Sequence, residues 1–196
     1  DFILKNVNKE KLYLFLREME FNRLLSSVIS AYGEIGFDEN KQYNIKTKVD
    51  NRKISNTSYF LFKKENEIEK WLKEADEIGE FAIDTETSSL DAHQAELVGV
   101  SLCYKPGHSG YIPLAHKSGN NLDSSKVLKI LKPYLEDKSI KKIGQNIKFD
   151  YIVFFKRGIK INSIEDTMLM SYVLDAGKNR HNLDTLAEIH LQHKNI

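Results

Sequence analysis

Apolar side chains recur at helical spacing near the start of the chain: Leu12, Phe15, Leu16 and Met19, then Phe21, Leu24, Leu25, Val28 and Ile29. The phase slips between Met19 and Phe21. That slip predicts two short helices or one broken helix over 8–32, with Asn8 as N-cap and Gly33 as the stop. Two such helices are too small to stand alone and must pack on something. Residues 34–57 are polar, rich in Asn and Lys, and carry no sustained period. They predict a linker with the composition of disordered segments.

From Ser58 the pattern tightens. "SYFLFK" predicts a strand, and 65–78 a helix with Ile68, Trp71, Leu72 and Ala75 on one face. "EFAID", "ELVGVSLCY" and "GYIPLA" are three further strands, with "KPGHSG" as a turn and Pro113 at a strand end. Their close spacing favours an antiparallel meander. Asp123 then caps a helix running to about Leu135, and "IKKIG" is a strand. A helix over 146–157, a short strand "IKI" at 159–161, and helices over 165–175 and 182–191 complete the order. Asp166 caps or begins the first of that last pair, with Met168, Leu169, Tyr172 and Val173 expected in the core. The expected fold class is α/β: a mixed sheet, meander first and parallel βα units after, flanked by helices.

Composition narrows the picture only a little. The chain has 196 residues, 41% of them hydrophobic, enough for one full core with an appendage. A net charge of +1 neither demands nor excludes a nucleic acid, because any positive field must be local. The single cysteine, Cys103, has no intrachain partner, which fits a reducing compartment. No apolar run approaches the ~20 residues of a membrane span. The start lacks both Met and a signal-peptide layout, so a piece of a longer protein is expected. There is no internal repeat and no Gly-rich phosphate loop. Six scattered histidines lack metal-site spacing with cysteine.

The chemistry concentrates in two places. Asp84 and Glu86 close the strand "FAIDTET". Residues i and i+2 of a strand share a face, so both carboxylates aim at one spot. Two such acids repel unless a cation lies between them or one is protonated. Hard oxygen ligands suit Mg²⁺ or Mn²⁺; the alternative is a solvated strand end. In "GQNIKFD", Asn146 and Asp150 lie four apart, on one helix face if the helix begins at Asn146. If "IKKIG" runs parallel beside "EFAID", Asp150 comes close to Asp84. Otherwise Asn146 is a helix cap and Asp150 a solvated first-turn acid. Three carboxylates around metal at a sheet edge suggest a two-ion phosphoryl-transfer site with ions roughly 3.5–4 Å apart.

From about Ser58 to Ile196 the blocks "FAIDTETSSLDAHQAELVGVSLCY", "GYIPLAH", "IGQNIKFDYIVFFKRGI" and "DTMLMSYVLDAGKNRHNLDTLAEIHL" occur in order at fitting distances. Together they resemble the 3′–5′ proofreading exonuclease domain of bacterial DNA polymerase I, which implies a ribonuclease H-like fold. The N-terminal "FLREMEFNRLLSSV" resembles the final helices of the 5′ nuclease domain that precedes it. The implied division is 1–33 upstream nuclease helices, 34–57 linker and 58–196 exonuclease domain.

The resemblance assigns residues one by one. Asp84 and Glu86 match the first exonuclease motif, and Asp150 the acid of the second. All three are thereby implied metal ligands and catalytic residues for two Mg²⁺ or Mn²⁺ ions. Asn146 matches the asparagine that supports this site. Leu90 matches an apolar wedge against the terminal bases. Thr87, Gln145 and Phe149 fall where family members contact the 3′ end, and Arg180, in "NRHNLD", is either a basic residue that meets a phosphate or simply a surface arginine. Lys141, Lys142 and Lys148 flank the second motif, either facing the DNA backbone or simply solvated. The implied partners are a single-stranded or frayed DNA 3′ end and a polymerase domain in cis. The implied setting is a monomer in the bacterial cytoplasm, at the nucleoid. One departure stands out: the family's Tyr-x-x-x-Asp motif has no match, since Phe155 follows Tyr151 by four and Ala176 follows Tyr172 by four. Weak or absent activity is the expectation for residues 1–196 alone. Two alternatives remain: an inactive exonuclease fold kept as a spacer, and an RNA 3′ exonuclease of the ribonuclease D type.

Overall fold

A computed structural model describes residues 6–33 and 57–194. The chain divides into two compact units, and these two stretches belong to different ones. In the first, helices α1 (Lys9–Glu18) and α2 (Asn22–Tyr32) form a pair broken at Glu20, whose φ is +57°. The expected phase slip is thus a real break. Asn8 caps α1 by accepting from Lys11 N at 3.0 Å. Tyr13 and Leu16 are buried, whereas Phe15, Met19, Phe21 and Leu24 stay exposed. Apart from Thr57, the expected linker lies outside the described residues.

The second unit is a six-stranded mixed sheet flanked by helices, as the patterning predicts. Its elements are β1 (Ser58–Leu61), α3 (Glu65–Ile78), β2 (Glu80–Thr87), β3 (Leu97–Lys105), β4 (His108–Pro113), α4 (Ser124–Glu136), β5 (Lys141–Gly144), α5 (Lys148–Phe155), β6 (Ile164–Asp166), α6 (Thr167–Asp175) and α7 (Leu183–Leu191). Strand order is β1-β4-β3-β2-β5-β6. β2, β3 and β4 form the antiparallel meander; β1 joins β4, β5 joins β2 and β6 joins β5, all parallel. The β2–β5 pairing is the condition set above for bringing Asp150 to Asp84.

Local chemistry explains most element ends. α3 buries Ile68, Trp71, Leu72 and Ala75 and stops at Gly79, whose φ of +82° a side chain would resist. Its first turn is held by Glu67, which accepts from Lys63 N and Lys64 N at 2.8 and 3.1 Å. Asp123 caps α4 through Ser125 N and Lys126 N. Phe62, Trp71, Phe81 and Tyr104 form an aromatic group within one continuous core.

Five expectations fail. "IKI" is no strand, although Ile159 and Ile161 are buried. Asn162 N instead donates to Leu135 O, and its side-chain Nδ2 to Glu136 O, which ties the segment to the end of α4. The strand forms after Ser163 (φ +51°), over Ile164–Asp166, and α6 begins at Thr167 rather than 165, with Asp166 as its cap. The helix expected from Asn146 starts at Lys148. Finally, Leu169, Tyr172 and Val173 are exposed, Val173 at 85%. The buried member of α6 is Ser171, bonded to His181 Nδ1 at 2.8 Å, so the polar side of the helix turns inward and its apolar side outward. Phe155, also expected on an apolar face, is exposed, and Val153 takes the buried place.

Candidate active site

Strand β2 alternates strictly: Phe81, Ile83 and Thr85 are buried, Asp84 and Glu86 exposed. The two acids therefore share a face, as period two requires. The β2–β3 ladder shifts register between Glu86 and Thr87, which ends regular pairing just past them. Among the described residues, neither carboxylate has a hydrogen bond or an ion pair. Burial first, and the Glu86 charge second, push the Asp84 carboxyl above its usual range.

Strand β5 lies parallel to β2 and delivers the second motif to the same end of the sheet. After Gly144 the chain turns sharply. A Cβ on Gly144 would sit 2.9 Å from three Ile147 side-chain carbons, so glycine is needed for the turn to close. Asn146 takes a left-handed φ of +54°, a conformation that asparagine tolerates better than most residues. Asp166 braces the turn, accepting from Asn146 N at 3.0 Å and Ile147 N at 3.1 Å. Gln145 is fixed at both ends of its amide: Nε2 donates to His181 O at 2.8 Å, and Oε1 accepts from Thr167 Oγ1 at 2.6 Å.

Asp150 then enters from the first turn of α5 and is buried, 3% exposed. Its Oδ1 accepts from Thr85 N at 2.9 Å and Thr85 Oγ1 at 2.6 Å. Burial drives its pKa to about 6; the Thr85 hydrogen bonds oppose the rise and the Asp84 charge adds to it. Thr85 escaped the sequence reading because it alternates to the face opposite the two acids. A polar residue at an inward strand position was the signal available.

An open cavity of about 460 Å³ gathers the result. Asp84, Glu86, Thr87, Leu90, Gln145, Asn146, Phe149 and Asp150 all line it. Of the expected site residues, only Arg180 does not. It is exposed, next to the His181 carbonyl that holds Gln145. Lys142 is corrected outright: it is fully buried, and its ammonium donates to the carbonyls of Tyr134, Asp137 and Ile140. Lys141 pairs with Glu165 and Glu80 at 3.1 and 3.5 Å, leaving Lys148 as the solvated lysine of the three.

No group of three His, Cys, Asp or Glu side chains among the described residues is gathered tightly enough to hold a metal ion. Asp150 faces Thr85, so the three acids line one cavity without closing on one point. The donor chemistry nevertheless fits a hard divalent cation. Two uncommitted carboxylates share a face, and a third lies nearby with its pKa raised first by burial, a rise that a cation would oppose.

A family model described as 3′–5′ exonuclease matches residues 59–196. The chain belongs to that family. DNA polymerase I of Pseudomonas aeruginosa is 37% identical over 194 residues, which cover 96% of this chain and 20% of the polymerase. The chain thus spans about a fifth of that relative's length. Among solved structures, ribonuclease D of Escherichia coli superposes with a TM-score of 0.58 at 18% identity, over 71% of this chain and 35% of that one. Brucella melitensis NrnC with bound Mg²⁺ gives 0.52 at 20% identity, over 72% and 63%. At such identities these two show the fold alone, that of ribonuclease H-like 3′–5′ exonucleases.

Proposed function

We propose that the chain belongs to the exonuclease domain of a DNA polymerase I, a domain that removes mispaired nucleotides from a DNA 3′ end during replication and repair using Mg²⁺ or Mn²⁺, and that residues 1–196 alone, with the Tyr-x-x-x-Asp motif unmatched, have weak or absent activity. The observation that carries this reading is the convergence of eight expected residues on one cavity at the adjoining ends of β2 and β5. Similarity to a DNA polymerase I over 96% of the chain supports DNA as substrate and a polymerase domain in cis. Because that similarity includes residues 8–32, it also supports their assignment to an upstream 5′ nuclease domain, with 34–57 as linker. A monomer in the bacterial cytoplasm, at the nucleoid, completes the reading.

Asp84 and Glu86 would hold the cation, and Asp150 would join them once its proton is lost. A pair of divalent ions held there would lower the pKa of a water and neutralise charge on the scissile phosphate. The chain's own residues do the rest. Gln145, immobilised by Thr167 and His181, presents a fixed amide edge beside the acids. Leu90, 98% exposed on the loop after β2, projects an apolar side chain at the cavity rim. Phe149 lines the same cavity half-buried, so an unstacked terminal base has an apolar surface to rest on.

Metal titration tests the reading. At Mn²⁺ ten times its Kd, binding stabilises the fold by about 1.4 kcal/mol, and Tm rises by roughly 3–5 °C. Asp84→Ala is expected to abolish that rise and any trimming of a single-stranded 3′ end. Equal Tm values with and without Mn²⁺ in the native sequence would remove the metal site. Faster trimming of RNA than of DNA in direct competition would replace the substrate.

A further inference from the structure

Beside Glu86 the sheet carries a second polar pair that the acids do not explain. In the ladders, Tyr111 stands opposite Ser101, and Ser101 stands opposite Asp84. Residues paired across a ladder share a face. Tyr111 therefore rises from the same face as Asp84 and Glu86. Its ring leans along β3 and lies over Gly99, where a Cβ would fall 1.9 Å from the phenol oxygen and 2.4 Å from Cζ. Only a residue without a side chain fits beneath it. Gly99 is the residue registered against Glu86, so the lean carries the phenol oxygen to the Glu86 position.

The phenol is also held from its far side. Tyr111 Oη and His116 Nε2 are 2.7 Å apart. His116 is anchored in turn by Asn121, whose Oδ1 accepts from His116 N at 2.9 Å and whose Nδ2 donates to His116 O at 2.8 Å. A line of fixed groups thus runs from Asn121 through His116 to Tyr111, whose phenol oxygen lies over the residue registered against Glu86. Packing alone asks for neither the hydroxyl nor its histidine.

We propose that Tyr111 is a positioning residue for Glu86. His116 Nε2–H donates to the phenol oxygen, which leaves the phenol O–H to donate to the Glu86 carboxylate when that carboxylate turns to meet a divalent cation, fixing its orientation there. This rests on the exonuclease reading above, and it adds two residues to the metal-binding apparatus. Hydrogen bonds of this outer kind are worth about 10–100-fold in metal affinity.

The test follows Tm of the 196-residue chain as Mn²⁺ is added, for the native sequence, Tyr111→Phe, His116→Ala, His116→Gln and Asp84→Ala. Tyr111→Phe keeps the ring and is expected to leave the metal-free Tm within about 2 °C, while raising the Mn²⁺ midpoint about tenfold. His116→Ala raises the midpoint in the same direction, and His116→Gln, which retains an N–H donor, recovers most of it. If Tyr111→Phe does not fold, the comparison of His116→Ala with His116→Gln decides. An unchanged midpoint in Tyr111→Phe and His116→Ala, with the native chain responding and Asp84→Ala silent, overturns this proposal alone. A native chain no more responsive than Asp84→Ala overturns the metal site and this proposal with it.

Discussion

Asp150 carries the sharpest electrostatic conflict in the site. Its carboxyl is pushed up to about 6 from an ordinary 3.8, first by burial, with the Thr85 side chain opposing and the Asp84 charge adding. As pH rises, the unfolded chain releases this proton before the folded one does. The stabilisation is therefore complete below about pH 4 and lost as pH climbs through about 6, on the order of 3 kcal/mol in the metal-free protein. Asp84 is raised too and acts in the same direction. Asp123, Glu136 and Asp137, held low first by side-chain hydrogen bonds, act in the opposite direction. Asp150→Asn keeps an oxygen for Thr85 and removes the titration. Thermal melts without metal are expected to give nearly equal Tm at pH 4 and a variant that is the more stable at pH 7. Parallel melting profiles across that range would show that Asp150 ionises as an ordinary carboxyl.

At the scale of elements, the β5–α5 junction sets the site, and Lys142 anchors its base. The Lys142 side chain is fully buried, and burial pushes its pKa down while Asp137 pulls it up. Its three protons meet three carbonyls from α4 and the turn after it. Lys142→Met would strand those acceptors and is expected to cost on the order of 3 kcal/mol, read as a lower urea midpoint at unchanged slope. A loss under about 0.5 kcal/mol would mean that the ammonium is solvated. Lys142 also marks where sequence legibility stops. Helices α3 and α4, the caps at Asn8 and Asp123, and the shared face of Asp84 and Glu86 were legible because they depend on neighbours a few positions away. Nothing local distinguishes Lys142 from Lys141. Which of them turns inward follows from the register of β5 between β2 and β6. "IKI" failed likewise, since its backbone is claimed by α4 through Asn162. The outward apolar side of α6 depends on Ser171 reaching His181, ten residues on.

For the molecule as a whole, charge gives little help in capturing a nucleic acid. Net charge is +1, and the cavity itself is lined by three acids, so long-range attraction to phosphate is weak. Of the nearby lysines, Lys141 is spent on Glu165 and Glu80, and Lys142 is buried. On the proposed exonuclease reading, affinity for a single-stranded end comes from the exposed Lys148, from bridging cations and from apolar contact at the rim, where Leu90 stands almost fully solvated. A side chain so exposed contributes little to the fold, so Leu90→Ala should move stability by no more than about 0.5 kcal/mol. If a terminal base rests on it, the same change removes about 1–2 kcal/mol of binding, a five- to thirtyfold loss. Fluorescence anisotropy with a labelled oligothymidylate, in Ca²⁺ to limit cleavage, reads that loss directly. The slope of log affinity against log salt should not change, because no phosphate contact is removed. A steeper or shallower slope in Leu90→Ala would show that the loop moves the DNA backbone rather than touching the base. Unchanged affinity would take Leu90 out of the binding surface altogether.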